Sequence, residues 1–135
     1  MKDHLLAYKD CIQKCTDCSV VCKQCGDTCR LLKEWEECRP EMRVCIQSCT
    51  ACFEACYKLI EQCKEHIAHC KDQECISACY ECIKKCEECI KACLNCIEQC
   101  ESGSRELCAD ACHACVIACN ACIDACKHLM SKSCL

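Results

Sequence analysis

Glycine and proline are nearly missing from this chain of 135 residues, which has two of the first and one of the second. A sandwich or barrel of many short strands needs such residues at its turns, so an all-β fold is excluded. The same scarcity excludes a Pro/Gly-rich disordered chain. An excess of positive charge is missing too. Lys and Arg number 17 against 21 Asp and Glu, the formal net charge is -4 and the pI is near 5.7. With no basic patch, nucleic acid is not an expected partner. No apolar run approaches the roughly 18 residues of a membrane span, so no membrane is expected either. Residues 1–10 hold no apolar segment followed by a small-residue cleavage site. No secretory signal is therefore read there, and a cytoplasmic, reducing location is expected. There is no Gly-rich phosphate loop and no nucleophile–base pair outside the cysteine pattern, so no enzyme is expected. The length suits one domain, residues 1–135, with a real core.

Cysteine is what the chain has in abundance, 28 residues in all. Cys11, Cys15, Cys18, Cys22, Cys25 and Cys29 are spaced four, three, four, three, four. Cys45, Cys49, Cys52 and Cys56 repeat the spacing, and Leu59, Cys63, His66 and Cys70 carry it on. Cys75, Cys79, Cys82, Cys86, Cys89, Cys93, Cys96 and Cys100 form a third block, and Cys108, Cys112, Cys115, Cys119, Cys122 and Cys126 a fourth. A strict 3.5-residue period puts all of these on the a and d seam of supercoiled helices. Four blocks with short connections predict an all-α fold, an antiparallel up-down-up-down four-helix bundle with a cysteine-lined core. The helices are expected over roughly 3–34, 39–70, 72–101 and 104–130. Pro40 suits the first turn of the second helix, Asp72 the N-cap of the third, and Ser102-Gly103-Ser104 a glycine stop followed by a serine start.

The flanks agree with this reading. Ile12, Ile46, Ile76, Ile83, Ile90, Ile97, Val116 and Ile123 follow seam cysteines at e positions, and Ala55, Ala78, Ala92, Ala111, Ala118 and Ala125 precede them at g. Lys84, Lys85, Glu87, Glu88 and Lys91 fall on the outer face.

Packing alone does not ask for thiols, because Leu, Ile and Val fill bundle cores better. Disulfides within one helix are excluded, since Cβ atoms at i and i+4 stand about 5–6 Å apart and a disulfide needs about 3.5–4.5 Å. A disulfide-stapled structural bundle with bridges between helices remains an alternative. The i, i+4 spacing does suit a metal joining two thiolates, which needs sulfurs a little over 4 Å apart at bonds of about 2.2 Å. An all-sulfur lining selects a soft ion, Cu(I), with a Zn or Cd thiolate store as the other alternative. Zinc in separate four-thiolate sites would leave two negative charges per ion in a buried core, whereas bridged Cu(I) approaches neutrality. The CxxC steps, such as Cys15/Cys18 and Cys86/Cys89, are the other half of the heptad, without the βαβ context of a redox motif.

Repeated CxxxC pairs over residues 4–130 make the chain resemble the four-helix-bundle copper storage proteins of bacteria. The resemblance implies storage or buffering of many Cu(I) ions by thiolates inside the bundle, and a homo-oligomer, often a tetramer. Lack of a signal makes it look like the cytosolic branch. The seam of cysteines is unusually full, so the family's capacity does not transfer. The candidate ligands are the seam cysteines named above, together with Cys38, Met42 and His66. One end of the bundle is expected to gather His4, Tyr8, His66, Cys70, Cys75 and Leu129, and the other Leu32, Cys38, Met42, Cys100 and Cys108. Met42 resembles the family's bundle mouth, or is a core methionine that plugs the end. His66 is either a ligand or a satisfied histidine at the end of the core. His69 and His113 lie off the seam and are expected to be exposed, Trp35 to cap the hydrophobic end, and Cys134, out of register, to stay outside the binding set.

Overall fold

The structure, a computed structural model, describes residues 2–31, 35–102 and 104–132, with side chains from residue 6 onward and without that of Trp35. The expectations for Leu32, Gly103 and Cys134, and for the side chains of His4 and Trp35, lie outside the described residues. Four helices appear: α1 Lys2–Leu31, α2 Trp35–His69, α3 Gln73–Ser102 and α4 Arg105–Met130. There is no strand among the described residues. At a rise of about 1.5 Å per residue, the 30-residue α1 and α3 are each about 45 Å long.

Each helix packs on its two neighbours in chain order, and α4 closes the ring on α1. Thiol contacts fix the directions. Between α1 and α2 they run Cys22–Cys45 at 3.5 Å, Cys18–Cys49 at 3.6 Å, Cys15–Cys52 at 3.6 Å and Cys11–Cys56 at 3.8 Å. Numbers fall on one helix as they rise on the other, so the pair is antiparallel. The α3–α4 pair shows the same order, from Cys82–Cys126 at 3.9 Å to Cys100–Cys108 at 3.2 Å. The up-down-up-down bundle follows.

The flanking positions take the places their chemistry suggests. Ala55, Ala78 and Ala111 are buried where neighbouring helices approach, Ile90 is buried, and Ile12, Ile46, Ile83, Ile97, Val116 and Ile123 pack partly buried against the core. Lys84, Glu87, Glu88 and Lys91 are exposed, and Lys85 is half-buried between Glu81 and Glu88 at 3.9 and 3.4 Å. Gly26 marks a close approach of α1 to α4. A Cβ there would lie 3.3 Å from Cys112 Cβ and 3.6 Å from the Ala109 carbonyl oxygen.

Both expected caps are present. Asp72 Oδ1 accepts from the Glu74 and Cys75 amides at 3.0 and 3.4 Å, and Ser104 Oγ accepts from the Leu107 amide at 3.3 Å. The start of α2 differs from expectation: it begins at Trp35 rather than near residue 39, which leaves Pro40 inside the helix. Proline there denies the Glu36 carbonyl its helical partner. Glu36 is exposed, so water can take that bond, and the extra turn carries Cys38 into the core, where it is fully buried. Glu36 and Glu37 also put negative charge in the first turn, where the helix dipole favours it.

A second difference concerns α4. Residues 105–130 are long and apolar enough, by length and composition, to cross a membrane, with a mean hydropathy of 1.4 over the best 18-residue window. Much of that apolarity is cysteine. Cys108, Cys112, Cys115, Cys119, Cys122 and Cys126 are all fully buried on the core side of α4.

Two outcomes follow from a bundle whose flanks bury aliphatic surface while its thiols are neutral. The reduced, metal-free protein should give a helical far-ultraviolet circular dichroism spectrum, and a random-coil spectrum would show that metal drives folding. Gly26→Leu should lower stability by about 1–3 kcal/mol through overpacking at the α1–α4 contact, read by denaturant unfolding.

Candidate metal centre

The antiparallel register converts four seams into stacked levels of thiols. Cys11, Cys56, Cys86 and Cys122 form one such group and Cys18, Cys49, Cys93 and Cys115 another, with all sulfurs of a group within 4.8 Å of one another. Cys22 and Cys96, placed with Cys45 and Cys49, make a further group. Cys112 joins that level through Cys96 at 3.6 Å and Cys45 at 3.8 Å. Successive levels touch through i, i+4 contacts: Cys11–Cys15 at 3.9 Å, Cys18–Cys22 at 3.7 Å, Cys45–Cys49 at 4.0 Å and Cys115–Cys119 at 3.9 Å. Sulfur is therefore continuous along the bundle axis. These are buried cysteine clusters able to hold metal ions.

Among the described residues no buried side chain is polar or charged. A thiolate formed here meets no lysine or arginine, so its charge has to be balanced by a bound cation or removed by a proton. Burial pushes the Cys29 thiol up to about 12 from its ordinary 9.0. Cys63 is raised by its contacts with the Cys79 and Cys82 thiols and by burial. Without metal, thiols of this kind stay protonated near neutral pH. Metal binding has to displace those protons, so affinity rises with pH.

The two ends differ. At the α1–α2 and α3–α4 connections, the register that pairs Cys22 with Cys45 brings Met42 level with Cys25, Cys100 and Cys108. Cys25 contacts Cys108 at 3.9 Å, and Cys100 contacts Cys108 at 3.2 Å. Cys29 lies 3.8 Å from Cys108, and Cys38 is buried beside it with its thiol 4.0 Å from the Thr28 carbonyl. Cys29, Met42 and Cys100 are 2%, 2% and 3% exposed, whereas the described thiols of the inner layers are at 0%. Soft donors thus reach the surface at this end.

The opposite end is plugged. Tyr8, Leu59 and Leu129 are at 0% exposure in seam positions that hold thiols elsewhere. The Tyr8 hydroxyl lies among Cys63, Cys79 and Cys82 without a hydrogen bond of good geometry, and burial first, then those thiols, raises its pKa far above the ordinary value. Beyond the plug, His66 is half-buried with Nε2 3.2 Å from Cys75 Sγ. Cys75 departs from the expected ligand set: it is disulfide-bonded, so its sulfur is no thiolate while that bond stands. Cys70 is half-buried, with its thiol 3.8 Å from the Asp72 carbonyl and away from the sulfur ladder. His69 and His113 are exposed, as expected.

The remaining seam cysteines, from Cys11 to Cys126, are free thiols. Sequence reasoning identified them through the heptad but left two things out. One is that Cys25 shares the level of Met42, Cys100 and Cys108; the other is that, among the described buried thiols, those above 0% exposure, Cys29 and Cys100, lie at the same end.

The raised thiols make a pH prediction for the metal-free bundle. A folded pKa above the unfolded one means that the folded state holds its proton longer. Stability from this source is fully present below about pH 9 and is lost as pH climbs toward about 12. Denaturant midpoints of reduced protein should be flat from pH 7 to 8.5 and fall above about pH 9. A midpoint that rises over that range would contradict the assignment of neutral core thiols.

Compared with family models, curated proteins and solved structures, the chain finds no match in any of the three. The functional reading therefore rests on the thiol ladder itself.

Proposed function

We propose that this protein stores or buffers Cu(I) in the cytosol as many thiolate-bound ions along the inside of the bundle, as its likeness to bacterial copper storage proteins implies. The observation that carries the reading is a continuous column of free thiols in an interior with no charged side chain among the described residues. Sulfur separations of 3.5–4.0 Å suit three thiolates around one ion, for which bonds of about 2.2–2.3 Å give roughly 3.9 Å. They also suit a tetrahedral zinc site at roughly 3.8 Å. Charge separates the two. Cu(I) shared among bridging thiolates approaches neutrality, whereas zinc in isolated four-thiolate layers leaves two negative charges at each level with no protein cation to balance them. The role is binding rather than catalysis. A disulfide-stapled scaffold is disfavoured, since apart from Cys75 the seam thiols are free.

Private pairs of thiolates would hold about 13 ions, and bridging three-coordinate ions roughly 20. Anaerobic titration of reduced protein with Cu(I) against a strong chelator should saturate above about ten equivalents. Saturation at about four or fewer, or displacement of bound Cu(I) by equimolar Zn(II), would overturn the copper-store reading.

Ions should load through the end where Met42, Cys29 and Cys100 come nearest the surface, because bulky Tyr8, Leu59 and Leu129 interrupt the run of soft donors at the other. Met42→Leu, close to volume-conserving, should slow Cu(I) uptake and chelator removal in stopped-flow traces. It should leave the endpoint within about two ions, the share of one ligand layer. If Met42→Leu left both rates unchanged while His66→Ala slowed them, loading would run through the opposite end.

A further inference from the structure

The rungs between α3 and α4 are not equivalent. From Cys82–Cys126 to Cys96–Cys112 the sulfurs stand 3.6–3.9 Å apart, but at the last rung Cys100 and Cys108 approach to 3.2 Å. Cys100 is also 3% exposed where the other α3–α4 rungs are at 0%. It opens into a surface cavity of about 250 Å³ whose wall includes Arg39, Arg43, Met42 and Glu101, two guanidinium groups against one carboxylate. Guanidinium groups attract the carboxylates of a small anionic disulfide and would hold it beside Cys100.

We propose that Cys100 and Cys108 form a redox-active dithiol, oxidised ahead of the rest of the core by an anionic low-molecular-weight disulfide such as oxidised glutathione. The Cys100 thiolate attacks one sulfur of the disulfide, a mixed disulfide forms and the first small thiolate leaves. Cys108, already beside it, attacks the Cys100 sulfur and expels the second. The protein loses two electrons and two protons, and the small disulfide gains them as two thiols. Closure needs the sulfurs to move from 3.2 Å to about 2.05 Å. The bridge would join the end of α3 to the start of α4. Cys70 is more exposed, but its neighbour is the Asp72 carbonyl rather than a second thiol, so attack there stops at the mixed disulfide.

A consequence rests on the copper-store reading above. The bridge removes two of the three thiols that share the mouth layer with Met42, so admission of metal follows the thiol–disulfide poise of the surroundings.

The test uses the full, reduced, metal-free chain, treated anaerobically with oxidised glutathione, quenched with acid and mapped by mass spectrometry without reduction. The first two-electron product should carry a Cys100–Cys108 bridge and no retained glutathione. Cys100→Ser should abolish this bridge and slow the first two-electron oxidation of the chain by about tenfold, while Leu94→Ala, on the exposed face of the same helix, should leave that rate within about twofold. A first bridge elsewhere, a lasting adduct on Cys70 or Cys29 with Cys100 and Cys108 still reduced, or oxidation of Cys100→Ser at the parent rate would overturn the proposal. The bridged protein should take up Cu(I) about tenfold more slowly than the reduced form. If the bridge forms as described and neither form binds copper, the dithiol stands and the copper-store reading fails.

Discussion

A thiol is a small apolar side chain while it keeps its proton and a soft anion once it loses it. This bundle places that group at almost every seam position, in an interior where no described side chain carries charge. The rest depends on this. Neutral, the thiols pack like small hydrophobes and let four helices close around them. Ionised, they would repel one another at 3.5–4.0 Å with no counter-charge, so the anionic form is tenable only with cations along the axis. One core therefore has two allowed occupants, protons or metal ions.

Small flanks make that core possible. Alanine at g positions and Gly26 bring neighbouring helices close enough for sulfurs on four different helices to meet within 4.8 Å. Larger residues there would widen the bundle and break the column. Isoleucine and valine on the other flank keep water from its sides, which leaves the ends as the places where chemistry can begin.

The ends are built from opposite materials. Tyr8, Leu59 and Leu129 close one with bulk that offers no soft donor, while Met42, Cys29 and Cys100 bring soft donors to the surface at the other. Arg39 and Arg43 stand at the open end with Glu101, so a small anion that approaches it meets two guanidinium groups against one carboxylate beside the sulfur. Metal exchange and thiol oxidation would share this doorway because it is where core sulfur is both accessible and closely paired.

Much was legible in the sequence for a simple reason: a heptad of one residue type fixes helix, seam and partner face together, so Cys11 through Cys126 could be placed before any coordinates. Asp72 and Ser104 announced their caps by residue type and position. Pro40 misled, because a local rule for proline at a helix start lost to the burial of Cys38 one turn earlier. Other features needed the third dimension. Which four thiols share a layer, that Met42 stands level with Cys25, Cys100 and Cys108, that Cys75 is tied in a disulfide and that Cys100 lies 3.2 Å from Cys108 all depend on the stagger between helices. Periodicity determines which face of a helix turns inward, and it is silent on the axial offset between faces. That offset is decided by packing at contacts such as Gly26 against Cys112.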